Sequence, residues 1–163
     1  MKSMNDTQLV EQLASKDHRV SNEAAATILG KGEPMVEPLL QMQGRKQPYT
    51  GSLGNPRGST TTVMPLPGSS LTPEQQERVV TVEAAALYLI SAIYAGRLDF
   101  ASSPLLADLD VPPERRKAAN KEEYLERGFA SARAWSDTLK KDGLQSLRDR
   151  GEDPLKRARL SFW

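Results

Sequence analysis

One segment of this chain has no polar face to offer to water. Residues 82–95, Val-Glu-Ala-Ala-Ala-Leu-Tyr-Leu-Ile-Ser-Ala-Ile-Tyr-Ala, are apolar nearly all round a helical wheel, and Glu83 is their one charge. Thr81 stands where a helix cap belongs, and Gly96 where a helix stops. A helix apolar on every side must be enclosed by other elements. This run is too short, and too interrupted by Glu83, to cross a bilayer. It therefore predicts a central core helix, with Leu87, Ile90, Ile93 and Tyr94 at its heart.

The flanking sequence supplies elements to enclose it. Asn5 followed by Gln8 has capping-box form, and Leu9, Val10 and Leu13 then share one helical face. Asp17 is placed to cap a second helix with the stripe Val20, Ala24, Ile28 and Leu29, and Gly30 and Gly32 end it. Pro34 suits the first turn of a third helix. Thr72 with Gln75 opens a short helical segment ending near Val79. Residues 104–109 read as a helical turn or two before the break at Pro112-Pro113. Asn120 with Glu123 repeats the capping-box form and introduces the longest helix, 121–141, with Tyr124, Leu125, Ala132, Trp135 and Leu139 in one stripe, Phe129 beside it and Gly143 as its stop. A short helix, 144–150, follows.

Residues 9–40 resemble a HEAT repeat, the helical-hairpin unit of α-solenoids. Asp17, Val20, Ala24, Ala25, Leu29, Gly30 and Gly32 carry the likeness, followed by Val36, Pro38, Leu39 and Leu40. The resemblance implies a macromolecule-binding helical protein. A solenoid needs about three repeats to bury a continuous core, and one is recognisable here, so the remaining helices must complete the core less regularly. The expected fold is all-α: a HEAT-like helical hairpin completed by a compact helical bundle. It forms a single domain over 1–163, divided into the hairpin and the start of a third helix (6–42), a long irregular loop (43–71), a helical core (72–150) and a basic, aromatic C-terminal tail (151–163).

The 43–71 segment is rich in glycine, proline, serine and threonine, has no acidic residue, and carries Arg45, Lys46 and Arg57. It lacks the Gly-Lys-Ser/Thr of a phosphate-binding loop. Two readings fit it, a connector draped over the surface or a partner-contacting loop, and residues 60–66 add a possible β-hairpin arm. The tail interleaves Lys156, Arg157 and Arg159 with Leu155, Leu160, Phe162 and Trp163. Either its aromatic residues dock on the chain's own helices, or the tail binds a partner, since Trp and Arg are frequent interface anchors.

Chemistry is bounded mainly by what the composition lacks. There is no cysteine, which excludes disulfides, thiolate metal sites and cysteine nucleophiles. The one histidine, His18, excludes a metal site of two or more histidines and reads as an exposed residue at a helix start. No Gly-x-Ser-x-Gly elbow is present. With 22 basic and 21 acidic residues the charges nearly cancel, which argues against a nucleic-acid partner. Residues 110–163 hold 13 of those cations and 10 of the anions, a mildly basic third of the chain. No secretory leader is apparent, and a cytoplasmic location is expected, with no membrane association.

These observations lead to the expectation of a non-enzymatic protein–protein interaction module, an adaptor or scaffold, with no catalytic residue, cofactor or metal. Its partner is another protein, met by the exposed face of the first two helices and the 43–71 loop, with Arg45, Lys46, Tyr49, Arg57, Arg159 and Trp163 as binding residues. Two alternatives stand beside it: a bacterial immunity-type protein that inhibits a toxin by occluding its active site, and a small enzyme with Asp, Glu and Arg groups around a pocket of Tyr88, Tyr94 and Trp135.

Overall fold

The apolar run is the centre of the molecule. In the computed structural model, which describes residues 5–54, 63–64, 68 and 70–163, the central helix spans Val82–Ala95 and every side chain from Val82 to Ile93 is buried. The Thr81 hydroxyl accepts the Ala84 N–H at 3.2 Å, and Gly96 closes the helix in the left-handed conformation.

The other helices are arranged to cover this one. In chain order they are α1 (Asp6–Glu11, extended by a 3-10 turn at Gln12–Ala14), α2 (His18–Lys31), α3 (Val36–Leu40, entered through a 3-10 turn at Glu33–Met35) and α4 (Pro73–Gln76). The central helix is α5, and α6 (Glu122–Asp142) and α7 (Leu144–Asp149) follow it. Helices α2, α3 and α6 all pack on α5. The capping boxes at Asn5 and Thr72 form, and the Asp17 side chain caps α2. Gly30 lies inside α2, and it is Gly32, with φ 72°, that ends it. The first segment buries its expected face, Leu9, Val10 and Leu13. On the second, Ala24 and Ile28 of the expected stripe are buried together with Ala25, while Val20 and Leu29 are only partly covered; the third buries Val36, Leu39 and Leu40. At the α5–α6 crossing a Cβ on Gly128 would lie 2.7 Å from the Leu87 methyl Cδ2, so any larger residue there would have to displace the fully buried Leu87 side chain.

The fold is mostly helical, with one exception. Residues 104–109, expected as helical turns, contain the strand β1 (Leu106–Asp108). It pairs antiparallel with β2 (Leu160–Phe162) in the register Leu106↔Phe162, Ala107↔Ser161 and Asp108↔Leu160. The outer edge of β1 is covered by Asn120, whose carboxamide accepts the Leu106 N–H at 3.1 Å and donates to the Pro104 carbonyl at 3.0 Å. Asn120 therefore does not cap α6, which starts at Glu122 without a side-chain cap. The competing demand of the strand's unpaired backbone groups takes the carboxamide.

The tail follows a 3-10 turn (Lys156–Ala158), reverses at Arg159 and enters β2. Arg159, at φ 53°, is the one non-glycine residue with positive φ among those described. Phe162 then packs edge-on against Tyr88 at 5.0 Å, and Tyr88 stacks on Phe100 at 4.6 Å. The tail thus docks on the chain's own body.

The first part of the 43–71 segment is fixed to the start of α5. Tyr49 N–H donates to the Val80 carbonyl at 2.8 Å, and Val82 N–H donates to the Gln47 carbonyl at 2.9 Å. Most of the possible 60–66 arm lies outside the described residues. Within it, Val63 forms a parallel bridge with Val79. Among the described residues no helix is long and apolar enough to cross a membrane.

Candidate functional site

Two segments are fastened across this core by different chemistry, and the difference decides which side chains are left for an outside partner. The first is residues 43–49. Glu83 is buried in the first turn of α5, and its carboxylate accepts the Gly44 N–H at 3.0 Å and the Lys46 ammonium at 2.6 Å. Lys46 also reaches both oxygens of Glu122, the first residue of α6, at 2.8 and 2.6 Å. One lysine therefore bridges the N-terminal ends of two helices, where carboxylates are favoured by the helix dipole. Burial pulls the Lys46 pKa down, but its hydrogen bonds to Glu122 and Glu83 outweigh this and hold it above the usual lysine value. Next to it Arg45 pairs with Glu11 at 2.7 Å, and that hydrogen bond keeps the Glu11 carboxyl below its ordinary value. Tyr49 is buried, its hydroxyl donating to the Ser21 carbonyl at 3.3 Å, and burial raises its pKa.

The second segment is residues 152–158, laid along α6. Here the donors are α6 side chains one turn apart and the acceptors are backbone carbonyls. Arg127 Nη2 donates to the Ala158 carbonyl at 2.6 Å, Ser131 Oγ to that of Pro154 at 2.7 Å, and Trp135 Nε1 to that of Glu152 at 2.8 Å. Positions i, i+4 and i+8 lie on one helical face, so the three bonds form a seam. Arg127 also reaches Asp108 at 3.3 Å. The Asp110 N–H and the Arg127 guanidinium hold the Asp108 carboxyl below its ordinary value.

Beside this seam lies a trough. Its wider part, about 500 Å³, is lined by Asp110, Arg127, Ala130, Ser131, Ala134, Arg157, Ala158 and Arg159. An adjoining hollow of about 230 Å³ shares Ser131 and Arg157 with it and is lined further by Trp135, Thr138, Glu152, Asp153 and Lys156; the two together are called the trough. The α6 residues involved, from Arg127 to Thr138, rise about 16 Å along the helix axis. Arg159 pairs with Asp110, while among the described residues no carboxylate lies within ion-pair distance of Lys156 or Arg157, both exposed on the rim. Two smaller hollows lie elsewhere, about 190 Å³ beside Tyr49 and about 250 Å³ between α4 and the start of α6.

The residues expected to bind a partner fall into different settings. Arg45 and Lys46 are engaged in ion pairs and Tyr49 is buried. Arg57 lies outside the described residues. Arg159 lines the trough, and Trp163, 39% exposed, stands at the far end of the ribbon, its N–H donating to the Leu105 carbonyl at 2.9 Å. Arg127, Ala130, Ala134, Lys156 and Arg157 complete the trough and were not among those expected. The spacing of hydrogen-bond donors at 127, 131 and 135 was the available signal. Tyr88, Tyr94 and Trp135 do not share a hollow among the described residues: Tyr88 is fully buried, and Tyr94 meets Trp135 edge to face at 6.3 Å. Also among the described residues, no group of three His, Asp or Glu is placed to hold a metal ion.

No protein-family model matches this chain, and no curated protein or solved structure matches it.

Proposed function

We propose that this chain is a non-enzymatic protein-interaction module, an adaptor or scaffold, and that its partner surface is the trough between α6 and residues 152–159. The observation that carries this reading is the trough's construction. It has a floor of alanine methyls from Ala130, Ala134 and Ala158, a wall pinned to α6 through its backbone, and two exposed cations on its rim. A wall held to α6 by three hydrogen bonds has less conformational freedom to lose when the surface is occupied, which favours binding.

The N-terminal helices support the same class of function. The succession α1, α2, α3, with small residues where α2 meets its neighbours, is in keeping with a HEAT-like hairpin, and α5 to α7 with a compact helical bundle completing it. The outer face of that hairpin takes second place as a partner surface, because the neighbouring cations Arg45 and Lys46 are already committed within the molecule.

Affinity capture from the native cell tests the proposal, using the intact chain beside an Ala134→Trp variant that fills the trough. A protein retained by the first and lost by the second is the expected result. Equal retention by both, or no specific protein on either, overturns it.

A further inference from the structure

We infer that the trough takes a short extended segment of a partner protein carrying two closely spaced carboxylates. This rests on the interaction reading above and adds to it the chemistry of the bound segment.

Length comes first. A trough of about 16 Å accommodates roughly five residues of extended chain. An extended chain sends alternate side chains to opposite sides, and here the two sides differ. One is the alanine floor of Ala130, Ala134 and Ala158, which suits apolar side chains. The other is the rim formed by the 3-10 turn that holds Lys156 and Arg157.

Charge comes second. Of the four cations along the trough, Arg127 is held by Asp108 and the Ala158 carbonyl, and Arg159 by Asp110. Lys156 and Arg157 keep their charge for an incoming group. At one end stands Asp110, and at the other Glu152 and Asp153, with Glu152 paired to Arg150 at 3.0 Å and Asp153 accepting the Leu155 N–H at 2.9 Å. The positive charge available to a ligand is therefore central, and both ends are acidic. This pattern matches a segment with acidic side chains in its middle and uncharged residues beyond. It disfavours a polyphosphate strand, which would press negative charge against Asp110, Glu152 and Asp153 as well.

Fluorescence anisotropy with labelled, end-blocked pentapeptides tests the inference on the intact chain. The probes are Leu-Glu-Leu-Glu-Leu, its glutamine counterpart Leu-Gln-Leu-Gln-Leu, and a five-residue oligothymidylate. The glutamate peptide is expected to bind about tenfold more tightly than the glutamine peptide, as charge-assisted hydrogen bonds on a solvated rim allow. That preference should shrink with added salt. The double variant Lys156→Glu/Arg157→Glu, altered only at exposed positions, is expected to lose it, and Ala134→Trp to lose binding of both peptides. Amide chemical-shift changes confined to residues 130–138 and 152–159 would place the peptide in the trough. Equal affinity for the two peptides overturns the charge inference but leaves the interaction reading standing. Binding of neither peptide, or of the oligothymidylate as tightly as the glutamate peptide, overturns the inference outright, and the capture experiment then decides the broader reading separately.

Discussion

Residues 43–49 and residues 152–158 are both short segments without α-helix or strand, the second closing in the 3-10 turn Lys156–Ala158, and both are tied to long helices. The first is tied by its side chains as well as its backbone: besides the backbone bonds of Arg45, Gln47 and Tyr49 to residues 80–83, Lys46 reaches the carboxylates of Glu83 and Glu122, and Arg45 reaches Glu11. The second is tied by its backbone, whose carbonyls accept from Arg127, Ser131 and Trp135. A segment held by its side chains has used its chemistry on its own fold. A segment held by its backbone keeps its side chains, and Lys156 and Arg157 are those that remain. The loop with no acidic residue was the more conspicuous candidate in the sequence, yet Arg45 and Lys46 are paired within the molecule. The tail, read in the sequence either as docking on the chain's own helices or as binding a partner, docks, and its cations Lys156 and Arg157 border the concave surface.

The comparison is broken most directly at Glu83. Glu83→Ala strips the Gly44 N–H and Lys46 of a buried acceptor and is expected to cost about 2–3 kcal/mol, the half-exposed lysine keeping Glu122 and limiting the loss. Urea unfolding measures it. A loss no larger than that of an exposed surface substitution would show that the first tie does not hold the fold. Trp135→Phe tests the second tie. It leaves the Glu152 carbonyl without its donor at an expected cost of about 1–2 kcal/mol. Salt separates the two: raising ionic strength should narrow the difference between Lys46→Ala and the parent chain and leave that of Trp135→Phe unchanged.

Acid sharpens the contrast further. The carboxyls of Glu11 and Asp108 titrate below their ordinary values in the folded chain. Each therefore contributes stability that is fully present above the usual carboxylate range and is lost as pH falls through the folded value. Glu11→Gln should flatten this acid loss in a denaturant titration across pH. An unchanged slope would rule out a role for the Arg45 pair in it. On the alkaline side burial pushes the Tyr88 hydroxyl up to about 12. Stability is expected to hold to the ordinary tyrosine range and then fall toward that value, and Tyr88→Phe should shift the fall to higher pH. The smallest effect belongs to Lys140→Ala. Its ion pair with Glu37 is exposed, and no change in the urea midpoint is expected.

Much of this arrangement was legible in the residues. The all-round apolar run 82–95, the caps at Asn5, Asp17, Thr72 and Thr81, and the stripe of the longest helix announce elements whose periodicity is long enough to see. What escaped is local pairing between distant pieces. Leu106–Asp108 and Leu160–Phe162 are three residues each, too short to show a period of two, and they meet only because Arg159 turns the chain and Phe162 finds Tyr88 and Phe100. Asn120 has the sequence form of a cap but serves the strand edge instead. The trough was hidden for the same reason. Its floor is alanine, which reads as ordinary helix, and its wall comes from residues that carry no periodic signal.

The lysine bridge also bears on the order in which the chain assembles. Lys46 joins Glu83 and Glu122, which lie 37 and 76 positions further along the sequence. Contacts of that separation return stabilisation only after long loops have closed, whereas the caps of α2 and α5 need only their own neighbours. The bridge is thus expected to form after the main barrier. Lys46→Met should then hasten unfolding and leave the refolding rate close to that of the parent chain, so that this lysine governs how long the native state lasts more than how quickly it is reached.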